Sequence, residues 1–338
     1  MTRCERVTQA LRHKETDFIP YNINFTQQQL CNMKEYTGQM NFLENIGNHI
    51  SAVYYDGFLA EEPGCPGYFI DDFGVRWNRN GCDKDIGVID GTAIHEADTA
   101  LIRMPELRTD VLEKLFRDMT NNDEDTFKIG SIGFSMFERA WTLRGMENFL
   151  GDMLLEPNFA HALLDAICEF NLKIIEIALR YDIDGFCFGD DWGQQKGLIM
   201  GPKLWREFIK PCMARMYDRV KSAGLFVIQH SCGDILDIFP DLVEIGLDVY
   251  QTFQPEIYDI RAVKKQFGKE LSFWGGISTQ RLLPFASPGE IKTKTREIME
   301  VLGRGGGYIA APTHAVPQDV PPENILAMIE VFREQGVT

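Results

Sequence analysis

Two features that would place the chain in a membrane or on a secretory route are missing from the sequence. No stretch approaches the roughly 18 consecutive apolar residues of a membrane span. The opening MTRCERVTQALRHKE is charged and amphipathic, and it lacks the apolar core of a signal peptide. We therefore expect a cytoplasmic protein with no membrane partner.

Positive charge is scarce. Lysine and arginine number 34 against 50 aspartates and glutamates, which gives a formal net charge of -16 over 338 residues. Nucleic-acid binding requires a basic face, so we expect no nucleic-acid partner.

Paired cysteine motifs are missing as well, because the eight cysteines are scattered without CxxC spacing. This excludes a disulfide framework and favours a reducing compartment.

Short apolar runs rich in β-branched and aromatic residues alternate with segments of helical period, for example 157–181, 202–224 and 258–268. This alternation predicts parallel strands joined by right-handed crossovers, and eight strands are the number of a closed barrel. A doubly wound sheet is the alternative, but its usual glycine-rich turn is missing from FIPYNINFTQQQ. The predicted strands are 18–25, 51–58, 127–134, 184–191, 225–232, 248–255, 271–278 and 306–314.

The predicted fold is therefore α/β, a (β/α)8 TIM-type barrel in a single domain over residues 1–338. Residues 60–100 interrupt the alternation of strands and helices with the turn signals PGCPG, DDFGVRW, NRNGCD and GVIDGT. We interpret them as a β-rich insertion that forms a lid or wall at one end of the barrel. The DDFG in it is interpreted as turn chemistry.

Polar residues stand at the ends of the predicted strands, where barrels of this type carry their chemistry. Asn24, Asp56 and Gln254 are candidate substrate-binding residues. Asp190 and Asp191, after the fourth strand, are candidate catalytic residues. The alternative for this pair is a cap on backbone amides.

His230 and Cys232 in QHSCGDI project to the same side of an extended strand. Imidazole and thiolate are common zinc ligands, and a catalytic zinc takes three protein ligands. A hydrogen-bonded histidine beside an inert cysteine remains the alternative. His314 is the other histidine at a strand end, and it is the candidate third ligand.

Glu138 and Arg139 begin the helix after the third strand, where an intrahelical or rim ion pair is the simple interpretation.

These motifs together resemble the uroporphyrinogen decarboxylase superfamily, which includes corrinoid-dependent methyltransferases. The resemblance covers nearly the whole chain. It is carried by RCERVTQALRHKETDFIP, DDFGVRW, RAWTLRGMENFL, DDWGQQKGLIMGPKLWREFIKP, HSCGDI, FWGGISTQRLLPFASPGEI and GGGYIAAPTHAVPQDVPPENILAM.

The resemblance implies a TIM-type barrel. In the methyltransferase branch it also implies zinc bound by His-x-Cys after the fifth strand and by a cysteine after the eighth. His230 and Cys232 match, while His314 stands where that branch has its cysteine. The decarboxylase itself uses several arginines near the first strand end, and NINFTQQQLCNMKEY contains none.

The favoured hypothesis is a zinc-dependent methyltransferase. It moves a methyl group between a small-molecule donor or acceptor and a corrinoid carried by a partner protein, and the enzyme itself is a possible homodimer. A cofactor-free decarboxylase or lyase acting on a small carboxylated substrate is the alternative. A non-catalytic binder of a corrinoid or another small molecule is the third hypothesis.

Overall fold

The barrel is built from a curled sheet of seven parallel strands. The computed structural model describes residues 1–81, 85–122 and 125–335. Neighbouring strands follow the order of the chain, so each connection returns to the adjacent position in the sheet. The strands are β1 (Ile50–Tyr55), β6 (Phe127–Ile132), β7 (Gly185–Gly189), β10 (Phe226–His230), β11 (Val249–Phe253), β12 (Ser272–Ile277) and β13 (Tyr308–Pro312).

Helices surround this sheet, and the helical segments predicted from the sequence are confirmed. The long helix α7 begins at Pro157, and a π-helical stretch over Trp205–Ile209 joins α8 to α9. No helix in the described part of the chain is both long and apolar enough to cross a membrane. The helices are α1 (Arg3–Leu11), α2 (Gln27–Thr37), α3 (Phe42–Ile46), α4 (Thr109–Asn122), α5 (Phe137–Arg144), α6 (Met146–Leu155), α7 (Pro157–Ala178), α8 (Gly201–Leu204), α9 (Lys210–Ser222), α10 (Phe239–Glu244), α11 (Ile260–Phe267), α12 (Leu282–Phe285), α13 (Pro288–Gly303) and α14 (Pro322–Arg333).

Two apolar layers hold the barrel together. Alternate strand residues point inward and form a small interior cluster that includes Phe127, Ile228 and Trp274. The residues between them point outward, where Phe186 and Tyr250 join the large layer between sheet and helices. This alternation leaves the inward positions at the strand ends free for polar side chains.

The prediction of a regular strand over 18–25 is wrong. This segment forms only isolated parallel bridges, from Tyr21 to Ala310 and from Phe25 to Val316. Pro20 has no N–H to donate, and Ile23 N–H bonds to a side chain instead of a strand. The segment nevertheless bonds to both sheet edges, since Asn22 donates to Ala310 of β13 and Tyr21 accepts from His49, just before β1. It therefore bridges the gap between the first and last strands.

The insertion is a four-stranded antiparallel sheet, as its turn signals predicted. Part of the NRNGCD signal, residues 82–84, lies outside the described residues. The sheet forms a wall beside the barrel mouth, because Asp56 and Trp77 line one cavity of about 60 Å³ between them. Its strands are β2 (Leu59–Glu61), β3 (Tyr68–Asp71), β4 (Arg76–Asn78) and β5 (Val88–Gly91). The short strands β8 (Gly193–Gln194) and β9 (Gly197–Leu198) form a separate antiparallel pair after β7.

A buried ion pair fixes the insertion to the barrel. Arg139 in α5 donates to Asp71 at 3.1 Å and to the Asp56 main-chain oxygen at 2.6 Å, and only 2% of its side chain is exposed. Asp71 also accepts the backbone N–H groups of Phe73 and Val75. The DDFG segment is thus a turn, as interpreted, and Arg139 forms its ion pair with the insertion rather than within its own helix.

Candidate metal centre at the barrel mouth

Three side chains with metal-ligating atoms meet at the carboxyl ends of two strands. His230 ends β10, Cys232 follows two residues later, and His314 lies two residues after β13. One ligand atom from each lies within 4.8 Å of the other two. The Cys232 Sγ and His230 Nε2 atoms are 3.9 Å apart, close to the roughly 3.3–3.8 Å that zinc–ligand bonds of about 2.0–2.3 Å imply. His314 is exposed at the same rim.

Gln251 orients the His230 ring. Its Oε1 atom lies 2.6 Å from His230 Nδ1, which makes Nδ1 the protonated nitrogen because an amide oxygen can only accept. The lone pair of Nε2 is then directed to the side of Cys232 and His314. Fixing the tautomer through the second ring nitrogen is how proteins prepare a histidine for a metal.

The surroundings of Cys232 suit a thiolate only when a cation is bound beside it. Burial, followed by the negative charge of Asp191, raises the pKa of the Cys232 thiol. Asp191 Oδ1 accepts the Cys232 N–H at 2.7 Å and lies 3.5 Å from His230 Nε2. A divalent ion among these groups would offset both negative charges, so the donor set fits zinc.

Close backbone packing explains why glycines stand at position 233, next to Cys232, and at position 193, in the segment after β7. Gly233 has a φ of +76°, and a Cβ there would meet the Gly193 carbonyl carbon at 2.2 Å. A Cβ on Gly193 would likewise meet the Cys232 oxygen at 2.6 Å. The HSCG and DDWG segments therefore approach each other main chain to main chain, which holds Cys232 in place.

The two adjacent aspartates after β7 have different surroundings. Asp190 is fully buried, and it accepts the N–H groups of Phe137 and Glu138 at the start of α5 and the indole N–H of Trp192. Burial raises the pKa of Asp190 to about 7, against these hydrogen bonds, which lower it. Asp191 faces the mouth, with 36% of its side chain exposed. A direct catalytic role for either stays a prediction.

The candidate substrate-binding residues fall in two places. Asn24 and Asp56 are exposed at the mouth. Gln254 is buried, and its Oε1 accepts the Gly233 N–H at 3.0 Å, so it supports the loop that carries Cys232. Their contact with a substrate stays a prediction.

Tyr54 and Glu138 also belong to the mouth, although neither was a candidate. Tyr54 keeps 54% of its surface exposed, and desolvation by the surrounding protein raises the pKa of its hydroxyl. The pKa of Glu138 lies well above its ordinary value because of burial and then the charges of Asp191, Asp190 and Asp56. Inward alternation along β1 was the available signal for Tyr54. Glu138 lies on a helix, so no strand pattern indicated it.

A larger cavity lies at the opposite end of the barrel. Its volume is about 260 Å³, and Phe18, Gly303 and Tyr308 line it. The group of His230, Cys232 and His314 lies at the other end, where the strands finish and where barrels of this type perform their chemistry.

Replacing Gln251 with leucine is expected to weaken zinc binding about 10- to 100-fold, because the His230 tautomer is no longer fixed. Gln251→Glu, which keeps an acceptor, should restore most of the affinity. Competition with a zinc-binding dye measures both. Gln28→Leu makes the same exchange on the exposed side of α2 and serves as the control. Unchanged affinity in Gln251→Leu would show that the bond does not orient the ligand.

Known proteins resemble this chain over much of its length. A methylated-thiol–coenzyme M methyltransferase from Methanosarcina mazei is 24% identical over 201 residues, which are 60% of this chain and 52% of that protein. A uroporphyrinogen decarboxylase from Magnetococcus marinus is 23% identical over 188 residues, 54% of this chain and 50% of the relative. The chain thus spans about half the length of these relatives.

The fold has a counterpart among solved structures. A methyltransferase from Methanosarcina mazei superposes with a TM-score of 0.74 at 17% identity, over 99% of both chains. At this identity the likeness concerns the fold alone, and it confirms the TIM-type prediction. The family model for uroporphyrinogen decarboxylase (URO-D) matches residues 96–335, which is most of the sequence. The chain therefore belongs to the uroporphyrinogen decarboxylase (URO-D) family.

Proposed function

We propose that the protein is a zinc-dependent methyltransferase that exchanges a methyl group between a small molecule and a corrinoid carried by a partner protein. The convergence of His230, Cys232 and His314 at the barrel mouth is the observation that carries the proposal. The name of the Methanosarcina mazei relative, a methylated-thiol–coenzyme M methyltransferase, supports the same reaction class.

Three protein ligands leave one position of a tetrahedral zinc site for a substrate atom. A bound zinc ion supplies a Lewis acid that stabilises negative charge on a sulfur, oxygen or nitrogen of the substrate. Two imidazoles and one thiolate carry less negative charge than a site with two thiolates, so the ion keeps more of its Lewis acidity. Asp191 and Gln251 hold the ligands in place, and Asn24, Asp56 and Gln254 shape the pocket.

The transfer needs no oxidant. When the substrate is the donor, its heteroatom–carbon bond breaks and leaves the electron pair on the heteroatom, while reduced cobalt, Co(I), provides the pair for the new bond to carbon. In the opposite direction the heteroatom provides the pair, and cobalt keeps the pair of the broken bond. A proton leaves or joins the heteroatom accordingly.

A decarboxylase acting on a carboxylated substrate is the less favoured function. Several relatives carry the name uroporphyrinogen decarboxylase, so the family includes this reaction. A carboxylated substrate, however, would enter a mouth that presents Asp56, Glu138 and Asp191. Arginine forks are the usual receptors for such groups, and Arg139 is already paired with Asp71.

Metal analysis and a methyl-transfer assay test the proposal together. We expect about one zinc per chain, since three ligands converge on one position. Methylcobalamin and a thiol should react in the presence of the protein, and the visible spectrum of the corrinoid should report the loss of its methyl group. A chelator should abolish the reaction, and added zinc should restore it. A protein without zinc, or transfer that a chelator does not affect, would contradict the proposal.

A further inference from the structure

Two buried cysteines face each other where the helices α7 and α9 pack side by side. Cys168 lies on α7 and is fully buried, and Cys212 lies in the first turn of α9 with 5% of its surface exposed. The Cys168 Sγ atom lies 3.7 Å from the main-chain oxygen of Cys212. The Cys212 Sγ atom lies 3.9 Å from Oδ1 of Asp165, which is one turn before Cys168. Each thiol is therefore directed at the helix that carries the other.

Facing positions on packed helices meet the spacing that a disulfide requires. Packed helices lie about 8–10 Å apart, and their Cα atoms lie about 2.3 Å from each axis. The Cα atoms of facing residues therefore approach to about 3.5–5.5 Å, which overlaps the roughly 4.4–6.8 Å that a disulfide spans. Both cysteines are free thiols in this structure, which is the reduced form of the pair.

The two thiols differ in acidity. A hydrogen bond from the Cys212 thiol lowers the pKa of Cys168 most, burial opposes this effect, and the positive charge of Arg215 lowers the pKa further. The same hydrogen bond, followed by burial, raises the pKa of Cys212. Because the thiolate is the nucleophile, Cys168 is the thiol of the pair that reacts first. A thiol of lowered pKa beside a second thiol is the arrangement of cysteines that respond to oxidants.

A small group of exposed ion pairs covers the two thiols. Arg215, one turn after Cys212, contacts Oδ1 of Asp165 at 3.3 Å and also contacts Glu169. That Asp165 atom is the one that the Cys212 thiol approaches. Between 43% and 66% of these three charged side chains is exposed. Exposed ion pairs contribute little to stability, so their separation gives a small oxidant a low-cost route from solvent to the thiols.

We propose that Cys168 and Cys212 are an oxidant-responsive pair that forms a disulfide between α7 and α9. The Cys168 sulfur attacks one oxygen of a peroxide, the O–O bond breaks, and the second oxygen leaves as water with the proton of the Cys168 thiol. The Cys212 sulfur then attacks the resulting sulfenic acid, the S–O bond breaks, and the hydroxyl group leaves with the Cys212 proton as a second water. The two sulfurs give up two electrons, which reduce the peroxide, and a dithiol reverses the bond by exchange.

Peptide mapping of the whole protein tests this inference. Reduced protein is treated with one equivalent of hydrogen peroxide, blocked with an alkylating reagent and digested with trypsin, which cleaves after Lys173 and Arg180 between the two cysteines. We expect the Cys168 and Cys212 peptides to be joined, and the number of free thiols to fall by two from the eight of the sequence. Dithiothreitol should reverse both changes. The oxidised protein should also unfold at a higher urea concentration, since the new bond closes a long loop.

Single variants separate the roles of the two thiols. Cys212→Ser should stop at the sulfenic acid of Cys168, which dimedone traps, and Cys168→Ser should form neither the acid nor the crosslink. Cys187→Ser, which removes another buried cysteine, should form the crosslink like the wild type. Oxidation of Cys168 to a sulfinic or sulfonic acid without a crosslink would overturn the inference. So would a pair that stays reduced at a peroxide dose that oxidises the exposed Cys31. Mapping of the wild-type protein decides between these outcomes even where a variant does not fold.

Discussion

Replacing Cys232 with serine is expected to remove the metal and the activity together. A serine hydroxyl stays protonated at neutral pH, so the site keeps two imidazoles and loses its anionic ligand. Zinc content should fall from about one per chain to less than about 0.1. Methyl transfer from methylcobalamin should fall at least about a thousandfold, since Lewis-acid stabilisation is worth several kcal/mol and each 1.36 kcal/mol is tenfold in rate.

Cys31→Ser provides the matched control for this substitution. Cys31 is an exposed cysteine on α2, and it is absent from the group of convergent ligands. Its variant should keep both zinc and activity. Elemental analysis and the spectral assay measure the two proteins side by side. If Cys232→Ser kept its zinc and its rate, His230, Cys232 and His314 would not be the metal centre, and the proposed chemistry would have to be abandoned.

The meeting of His230 and Cys232 could be predicted because it depends on local geometry and on one general property of barrels. Residues two apart on a strand share a side, and parallel strands that alternate with helices all end at the same rim. His314 lies 82 positions after Cys232, yet the same rule places it on that rim. A histidine after the last strand was therefore enough to identify the third member of the group.

The position of Glu138 at the barrel mouth could not be predicted in the same way. Glu138 lies on a helix, and its position at the mouth depends on α5 starting where Asp190 accepts its first N–H groups. That capping bond joins residues more than fifty positions apart. Likewise, the partner of Arg139 is Asp71 in the insertion rather than a neighbour on the helix. Side-chain pairing over such distances leaves no periodic signal in a sequence.

The segment 18–25 is an error of another kind, because its sequence predicted a regular strand that does not form. Its composition is typical of a strand, with β-branched and aromatic residues on either side of Pro20 and Asn22. Whether such a segment becomes a ladder depends on which of its N–H groups meet a partner, and Ile23 finds the Asn48 side chain instead.

Replacing Arg139 with methionine is expected to cost about 3–5 kcal/mol in the free energy of unfolding, because it leaves the Asp71 carboxylate buried without its cation. The side chain also stacks on Phe73, with the guanidinium carbon 3.9 Å from the ring centre. Both contacts join the insertion to the barrel, so the insertion should become more sensitive to proteolysis than the helices. Urea unfolding and limited proteolysis measure the two effects.

A double variant and an exposed pair separate this explanation from a general effect of lost charge. Arg139→Met with Asp71→Asn should recover part of the loss, since the uncompensated carboxylate is then removed. Arg108→Met breaks the ion pair with Asp72, in which 48% of the arginine side chain is exposed, and it should cost about 0–1 kcal/mol. If Arg139→Met lowered the free energy of unfolding as little as Arg108→Met, the Arg139–Asp71 pair would not hold the insertion in place. The position of Asp56 would then have to depend on its contact with the backbone at Gly133, where an added Cβ would meet Asp56 Oδ1 at 1.9 Å.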